Sequence, residues 1–261
     1  MDTIDVARNE GIVTITLNRP ERKNAVNGRM WEELFATLKD IAKNPEDRCV
    51  VLTGAGGDFC SGADLSGGGA IESDGPRRHQ LSTMRDVRDV ILALYHLPQP
   101  TIAKVRGVAV GVGCNFALTC DLVVASDNAR FSEIFAKRGL SVDGGGSWSL
   151  PRRVGLHKAK ELVLFADIIS AAEADRIGLV NRVVPDAELD EFVGGWARRL
   201  ADGPPIALAQ SKRLLNNSAH VTLETALEDE GAAQTINFTT KDTPEAIAAW
   251  LEKRSPVFKG R

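Results

Sequence analysis

The spacing of apolar and polar positions changes several times along the chain, and each change marks an element. Residues 12–17, IVTITL, alternate as a half-buried strand does and stop at Asn18-Arg19-Pro20. Over residues 29–43, Met30, Leu34, Leu38 and Ile41 recur at helical spacing, and Asn44-Pro45 ends the run. Residues 49–53, CVVLT, form the continuous β-branched run of a strand buried on both faces, broken by Gly54-Ala55-Gly56-Gly57. FCSGADL (59–65) follows, then a polar, glycine-rich stretch, 66–80, that reads as a mobile loop.

Residues 81–96 read as a helix that stops near Pro98. TIAKVRG (101–107) reads as a strand, and VAVGVGCNFALTCD as a glycine-rich turn opening an apolar helix. LVVAS (122–126) and ARFS (129–132) are short strands. Beyond 150 the pattern is largely helical, with proline breaks at 185 and 203–205. Strands alternating with helices over residues 1–135 predict an α/β core. The division expected is a core over 1–200 and a helical region over 201–261.

Composition narrows the class of partner. A net charge of −3 on 261 residues gives no general electrostatic reason to bind nucleic acid or an acidic membrane surface. No apolar run approaches the ~18 residues of a membrane helix, and the first twenty residues lack the basic and apolar regions of a secretory signal. Cys49, Cys60, Cys114 and Cys120 are scattered, without a CxxC pair or a matching histidine cluster. They read as small buried hydrophobes of a reducing cytoplasm, and no metal site is expected. His79, His96, His157 and His220 are isolated, and Trp31, Trp196 and Trp250 lie on amphipathic helices as core or subunit contacts.

The glycine clusters fail the common cofactor motifs. After strand 49–53, Phe59 stands where a dinucleotide turn needs its last glycine, and Phe116 does the same at 111–116. No P-loop is present, and Ser149 replaces the glycine that a nucleophile elbow needs in GGSWS. Two strand-to-turn junctions remain, Gly62-Ala63-Asp64 and Gly111-Val112-Gly113. Each can present free backbone N–H groups, and a helix opening at 112–113 aims its positive end outward. Two such amides converging on one carbonyl oxygen make an oxyanion hole. The same residues also fit two tight turns in a packed core.

Ser61-Gly62-Ala63-Asp64-Leu65 and VRGVAVGVGCNFALTCDLVVAS (105–126) resemble the two oxyanion segments of the crotonase (enoyl-CoA hydratase/isomerase) superfamily. Asn24-Ala25 after Pro20, GLVNRVVP (178–185) and KRSPVFKG (253–260) match as well, so the resemblance covers nearly the whole chain. It implies an α/β fold, the crotonase spiral of ββα units with a helical C-terminal trimerisation region, and a homotrimer or dimer of trimers. It also implies an acyl-CoA thioester substrate, coenzyme A being part of the substrate and no separate cofactor being needed. By position, the amides of Ala63 and Val112 would hold the thioester oxygen. Arg22, Lys23, Ala25, Asp64, Leu65 and Gly111 would meet the CoA or shape its site, although Arg22 and Lys23 also fit a solvated face. The family usually has glycine at 112, and the valine side chain is expected to narrow the pocket.

The same resemblance assigns the acid/base chemistry. Hydratases of the family use two glutamates, and the matching positions here hold Asn115 and Phe135, neither of which takes a proton at neutral pH. Glu133 stands two residues from Phe135, an offset that does not by itself restore the role. Asp143, in GLSVDGGGSW, matches the aspartate of isomerase branches, and its pairing with Asn115 most resembles the 1,2-epoxyphenylacetyl-CoA isomerase branch. Burial against Trp148 and other apolar walls is expected to raise its pKa, and Asn115 to orient the substrate or bond the carboxylate. A turn or helix-capping aspartate ahead of a glycine run is the plainer reading of Asp143. The function expected is enoyl-CoA isomerisation by a proton shuttle on Asp143. Hydration of a 2-enoyl-CoA and acyl-CoA binding with weak catalysis are the alternatives.

Overall fold

The computed structural model describes residues 1–66 and 79–261. The glycine-rich stretch read as a loop, with Arg77 and Arg78, lies outside these except at its ends. In chain order the strands are β1 (Ile4–Asn9), β2 (Ile12–Leu17), β3 (Cys49–Gly54), β4 (Thr101–Val105), β5 (Val108–Val110), β6 (Leu122–Ser126), β7 (Arg130–Ser132), β8 (Ile169–Ser170) and β9 (Arg182–Val184). The α-helices are α1 (Gly28–Ile41), α2 (Gln80–Tyr95), α3 (Val112–Thr119), α4 (Gly146–Phe165), α5 (Ala171–Arg176), α6 (Leu189–Ala201), α7 (Pro205–Asn217), α8 (Leu223–Phe238) and α9 (Asp242–Glu252).

Six strands form one sheet in the order β1-β2-β3-β4-β6-β9, and β5-β7-β8 form a second, smaller one. β1 and β2 are an antiparallel hairpin, and every later pair of the large sheet is parallel. Parallel pairing buries both faces, which is why β3 reads as an unbroken apolar run. Its side chains divide between two cores. Val50 and Leu52 join Val13, Ile15 and Leu17 of β2 against Met30, Trp31, Leu34, Leu38 and Ile41 of α1. Cys49 and Val51 join Ile102 and Val124 against Leu189, Val193, Ala197 and Ala201 of α6. Asn27 fixes the start of α1, its side chain accepting from Met30 N at 2.9 Å.

Strand β1 is absent from the pattern-based expectation. Its residues after Ile4 are mostly exposed, as suits an edge strand, so the alternation is diluted. Its N-terminus is held by buried Glu33, which accepts from the amides of Asp2 and Thr3 and from the Thr3 hydroxyl. Burial alone would raise this carboxyl, but these donors and Arg29 bring it down to about 2.

Helix α4 is two helices joined at Gly155, whose φ of 76° and ψ of 159° are not helical. Helices α7, α8 and α9 pack in sequence beyond the sheet. Lys212 ties α7 to the core through Asp121 at 2.8 Å and the Gln99 carbonyl at 3.1 Å. The division expected at residue 200 falls at the end of α6.

Candidate active site

The chain crosses from the large sheet to the small one at Arg106-Gly107, between β4 and β5. Beside that crossing runs the segment after β3. Phe59 N donates to Arg106 O, Cys60 N to Val108 O, and Val110 N to Cys60 O, so residues 59–60 zip onto β5. On its other side, Val26 N donates to Gly62 O and Asp64 N to Val26 O. Ala63 is thereby held between two fixed neighbours while its own N–H meets no acceptor among the described residues. Gly111, at φ 57°, then turns β5 into α3, with its amide on Ser132 O. Val112 opens the helix, so its N–H has no partner within α3.

Gly113 lets these two turns meet. A Cβ at that position would lie 2.4 Å from Cys60 O and 2.7 Å from Cys60 Cβ, so any larger residue would push α3 off the 59–63 segment. The two segments that carry the sequence-predicted pair are therefore packed against each other, with Ala63 exposed and Val112 buried. The Val112 side chain is buried. It packs under the loop of Asp143, where a Cβ at Gly144 would lie 3.0 Å from Val112 Cγ2.

That loop seats Asp143 above the start of α3. Asn115 Nδ2 donates to the Asp143 carbonyl at 2.8 Å, and Gly146 N to the same oxygen at 3.0 Å. The Asp143 carboxyl is half-buried, and its Oδ1 has no hydrogen-bond partner among the described residues. Burial pushes its pKa up to about 6. Trp148, the expected wall, has ring contacts of its own. It stacks near His220, meets Tyr95 edge-on and lies beneath the Arg152 guanidinium.

Phe135 is buried with its ring near Gly111, and it supplies an apolar side to the same place. Glu133, which the sequence left without a role, is buried at 2% exposure with Oε2 3.3 Å from Asn115 Nδ2. Burial raises its pKa to about 7, the charge of Asp143 adding to this and the neighbouring Cys114 and Asn115 offsetting part of it. In the sequence its position beside Phe131 and Ser132 gave the only signal, a charge in an apolar stretch.

The residues expected to meet CoA lie on the rim. Pro20–Arg22 form a short 3-10 turn, with Arg22 and Lys23 exposed and Lys23 at 3.5 Å from Asp58. Buried Asn24 organises this rim, accepting from Arg19 N and donating to the carbonyls of Ala55 and Asp58. Ala25 is buried and Leu65 exposed. The Asp64 carboxylate is already engaged. Ser66 and then Arg19, at 2.8 Å, hold its pKa at about 2. The four cysteines are buried, and desolvation pushes Cys49, Cys60 and Cys120 up to about 12, so these three carry no thiolate chemistry at neutral pH. Among the described residues no cluster of three or more metal-ligating side chains occurs, and no helix is long and apolar enough to cross a membrane.

An α/β core with a helical C-terminal region and these two adjoining turns defines a class that the comparisons identify. The family model for enoyl-CoA hydratase/isomerase matches residues 7–261, and the chain belongs to that family, within the crotonase superfamily. A probable enoyl-CoA hydratase of Rhodobacter capsulatus is 40% identical over 99% of this chain and 98% of its own length. The 1,2-epoxyphenylacetyl-CoA isomerase of Escherichia coli is 38% identical over 97% and 96%. The crystal structure of an enoyl-CoA hydratase from Bacillus anthracis superposes with a TM-score of 0.93 at 35% identity, covering 100% of both chains. The fold is the crotonase fold.

Proposed function

We propose that the chain is an enoyl-CoA isomerase in which one carboxylate, Asp143, carries a proton between two carbons of the acyl chain. The observation that supports this most is the seat of Asp143 above the turn that begins α3, with an oxygen unpartnered among the described residues and a pKa raised to about 6. A base with a pKa near the working pH is largely ionised yet able to hold the proton it takes.

In this reading the amides of Ala63 and Val112 donate to the thioester oxygen, helped by the positive end of α3. The electron pair left when Asp143 takes the α or γ proton moves onto that oxygen, giving a dienolate. Asp143 returns the proton at the other carbon, and the double bond has moved. No net water is added and no separate cofactor is needed, coenzyme A being part of the substrate. The exposed Arg22 and Lys23, buried Ala25 and the Ala63–Leu65 and Gly111 backbone are the proposed CoA contacts. Asp64 serves this rim through Arg19 and Ser66. Exposed Leu223, Leu227, Phe238, Trp250 and Leu251 on α8 and α9 support a homotrimer or dimer of trimers.

Hydration of a 2-enoyl-CoA is the second reading, favoured by one observation, the carboxyl of Glu133 beside Asn115. The test offers 3-enoyl-CoA and 2-enoyl-CoA separately, in deuterated water, to the wild type and to Asp143→Asn. Isomerisation that incorporates deuterium and is lost in the variant is the expected result. Rapid hydration that survives in Asp143→Asn would overturn the isomerase reading. Tight binding without turnover of either thioester would make the chain an acyl-CoA binder instead.

A further inference from the structure

The proton shuttle leaves unused the buried acid that lies beside Asn115, Glu133. Glu133 follows β7 at the entrance to the 3-10 turn Ile134–Arg138 and reaches beneath α3. The two hydrogens of Asn115 Nδ2 are divided between Glu133 Oε2, at 3.3 Å, and the Asp143 carbonyl, at 2.8 Å. An amide has one donor end, so an acceptor on each side fixes which way it points. Without Glu133, the Asn115 amide would lose one of its two anchors and could swing about its bond to the Asp143 carbonyl, loosening the loop. We infer that Glu133 is a positioning residue for this site, holding Asn115 in the orientation that clamps the Asp143 loop. This rests on the proposed role of Asp143.

The groups that face Glu133 decide how the device responds to pH. They are Cys114 on α3 and Asp143 on the loop, with Arg153 of α4 acting on Cys114. Glu133 Oε1 has no partner at hydrogen-bonding geometry among the described residues. The two carboxyls interact, so they lose protons in sequence, Asp143 at about 6 and Glu133 at about 7. Ionised Glu133 grips the Asn115 amide more strongly and makes Asp143 a stronger base. The rate therefore rises in two steps, the first as Asp143 ionises and the second as Glu133 does.

The experiment measures kcat and KM for a 3-enoyl-CoA between pH 5 and 9 in wild type, Glu133→Gln, Glu133→Leu and Asp143→Asn. Glu133→Leu is expected to lower kcat by about 10–100-fold with KM within about twofold, the loss that misplacement of a catalytic group produces. Glu133→Gln keeps an acceptor oxygen but cannot ionise. It is expected to recover most of that kcat while the step near pH 7 disappears. A Glu133→Leu enzyme as fast as wild type, or a Glu133→Gln profile that keeps the second step, would overturn the inference. Should Glu133→Leu fail to fold by circular dichroism, the Glu133→Gln profile decides alone. Full activity in Asp143→Asn would instead overturn the proposed function, so the two failures are told apart.

Discussion

The side-chain amide of Asn115 is bonded to the backbone of Asp143, not to its carboxylate: Nδ2 donates to the Asp143 carbonyl at 2.8 Å, and the carboxylate Oδ1 meets no partner among the described residues. An asparagine at this position holds the loop without competing for the proton that the loop residue is proposed to carry.

Replacing Asn115 with leucine, similar in size but without the donor, should therefore act through position. kcat for isomerisation is expected to fall by about 100-fold, the scale of a 1 Å misplacement. KM should change little, because the two turn amides are untouched. Steady-state kinetics on a 3-enoyl-CoA checks this, and a variant with raised KM and normal kcat would contradict it.

Packing between α3 and the loop predicts a coupled pair. Gly144→Ala places a methyl 3.0 Å from Val112 Cγ2 at a φ of 57°, and should cost about 1–3 kcal/mol in urea unfolding. Val112→Ala makes room, so the double variant should be more stable than the sum of the single losses. A double-mutant cycle reads the difference, and additivity within about 0.5 kcal/mol would count against contact between the two.

Asp143 ionises in the fold at about 6 instead of the 3.8 of an unperturbed aspartate. A raised carboxyl favours the folded state while protonated, so its contribution is complete below 3.8 and is lost as pH rises through 6. Asp143→Asn should then match wild-type stability near pH 4 and exceed it by a few degrees in Tm at pH 7–8, while activity is lost. Thermal melts at both pH values check the sign.

Glu33 gives the opposite case. Its carboxylate holds the amides of Asp2 and Thr3, and its pKa of about 2 lies below the ordinary 4.5. That stability is present above 4.5 and lost as pH falls toward 2. Glu33→Leu should cost about 1.5–3 kcal/mol at pH 7 and distinctly less at pH 3, as read by urea titration.

What the sequence disclosed follows from which signals are local. Strands β2, β3, β4 and β6 and helices α1 and α2 each bury a periodic apolar set, so the pattern alone located them. Strand β1 and the three-residue β5 lack such a set, and only the pairing of Val108 and Val110 with Cys60 makes β5 visible. Asp143 and Asn115 were legible through the resemblance, and the structure seats both at the start of α3. Glu133 was not. Its partner Asn115 lies 18 positions away, and a charge in an apolar stretch does not by itself show which side chain it meets. The ring contacts of Trp148 with Tyr95 and His220 were likewise illegible, being far apart in the chain.

The crossing at Arg106-Gly107 has a mechanical consequence. Ala63 and Val112 do not hang from one loop; they stand on either side of a seam joining two sheets, each braced by strand pairing. Their separation is thus a dimension of the scaffold, set by the strand pairing on either side of the crossing.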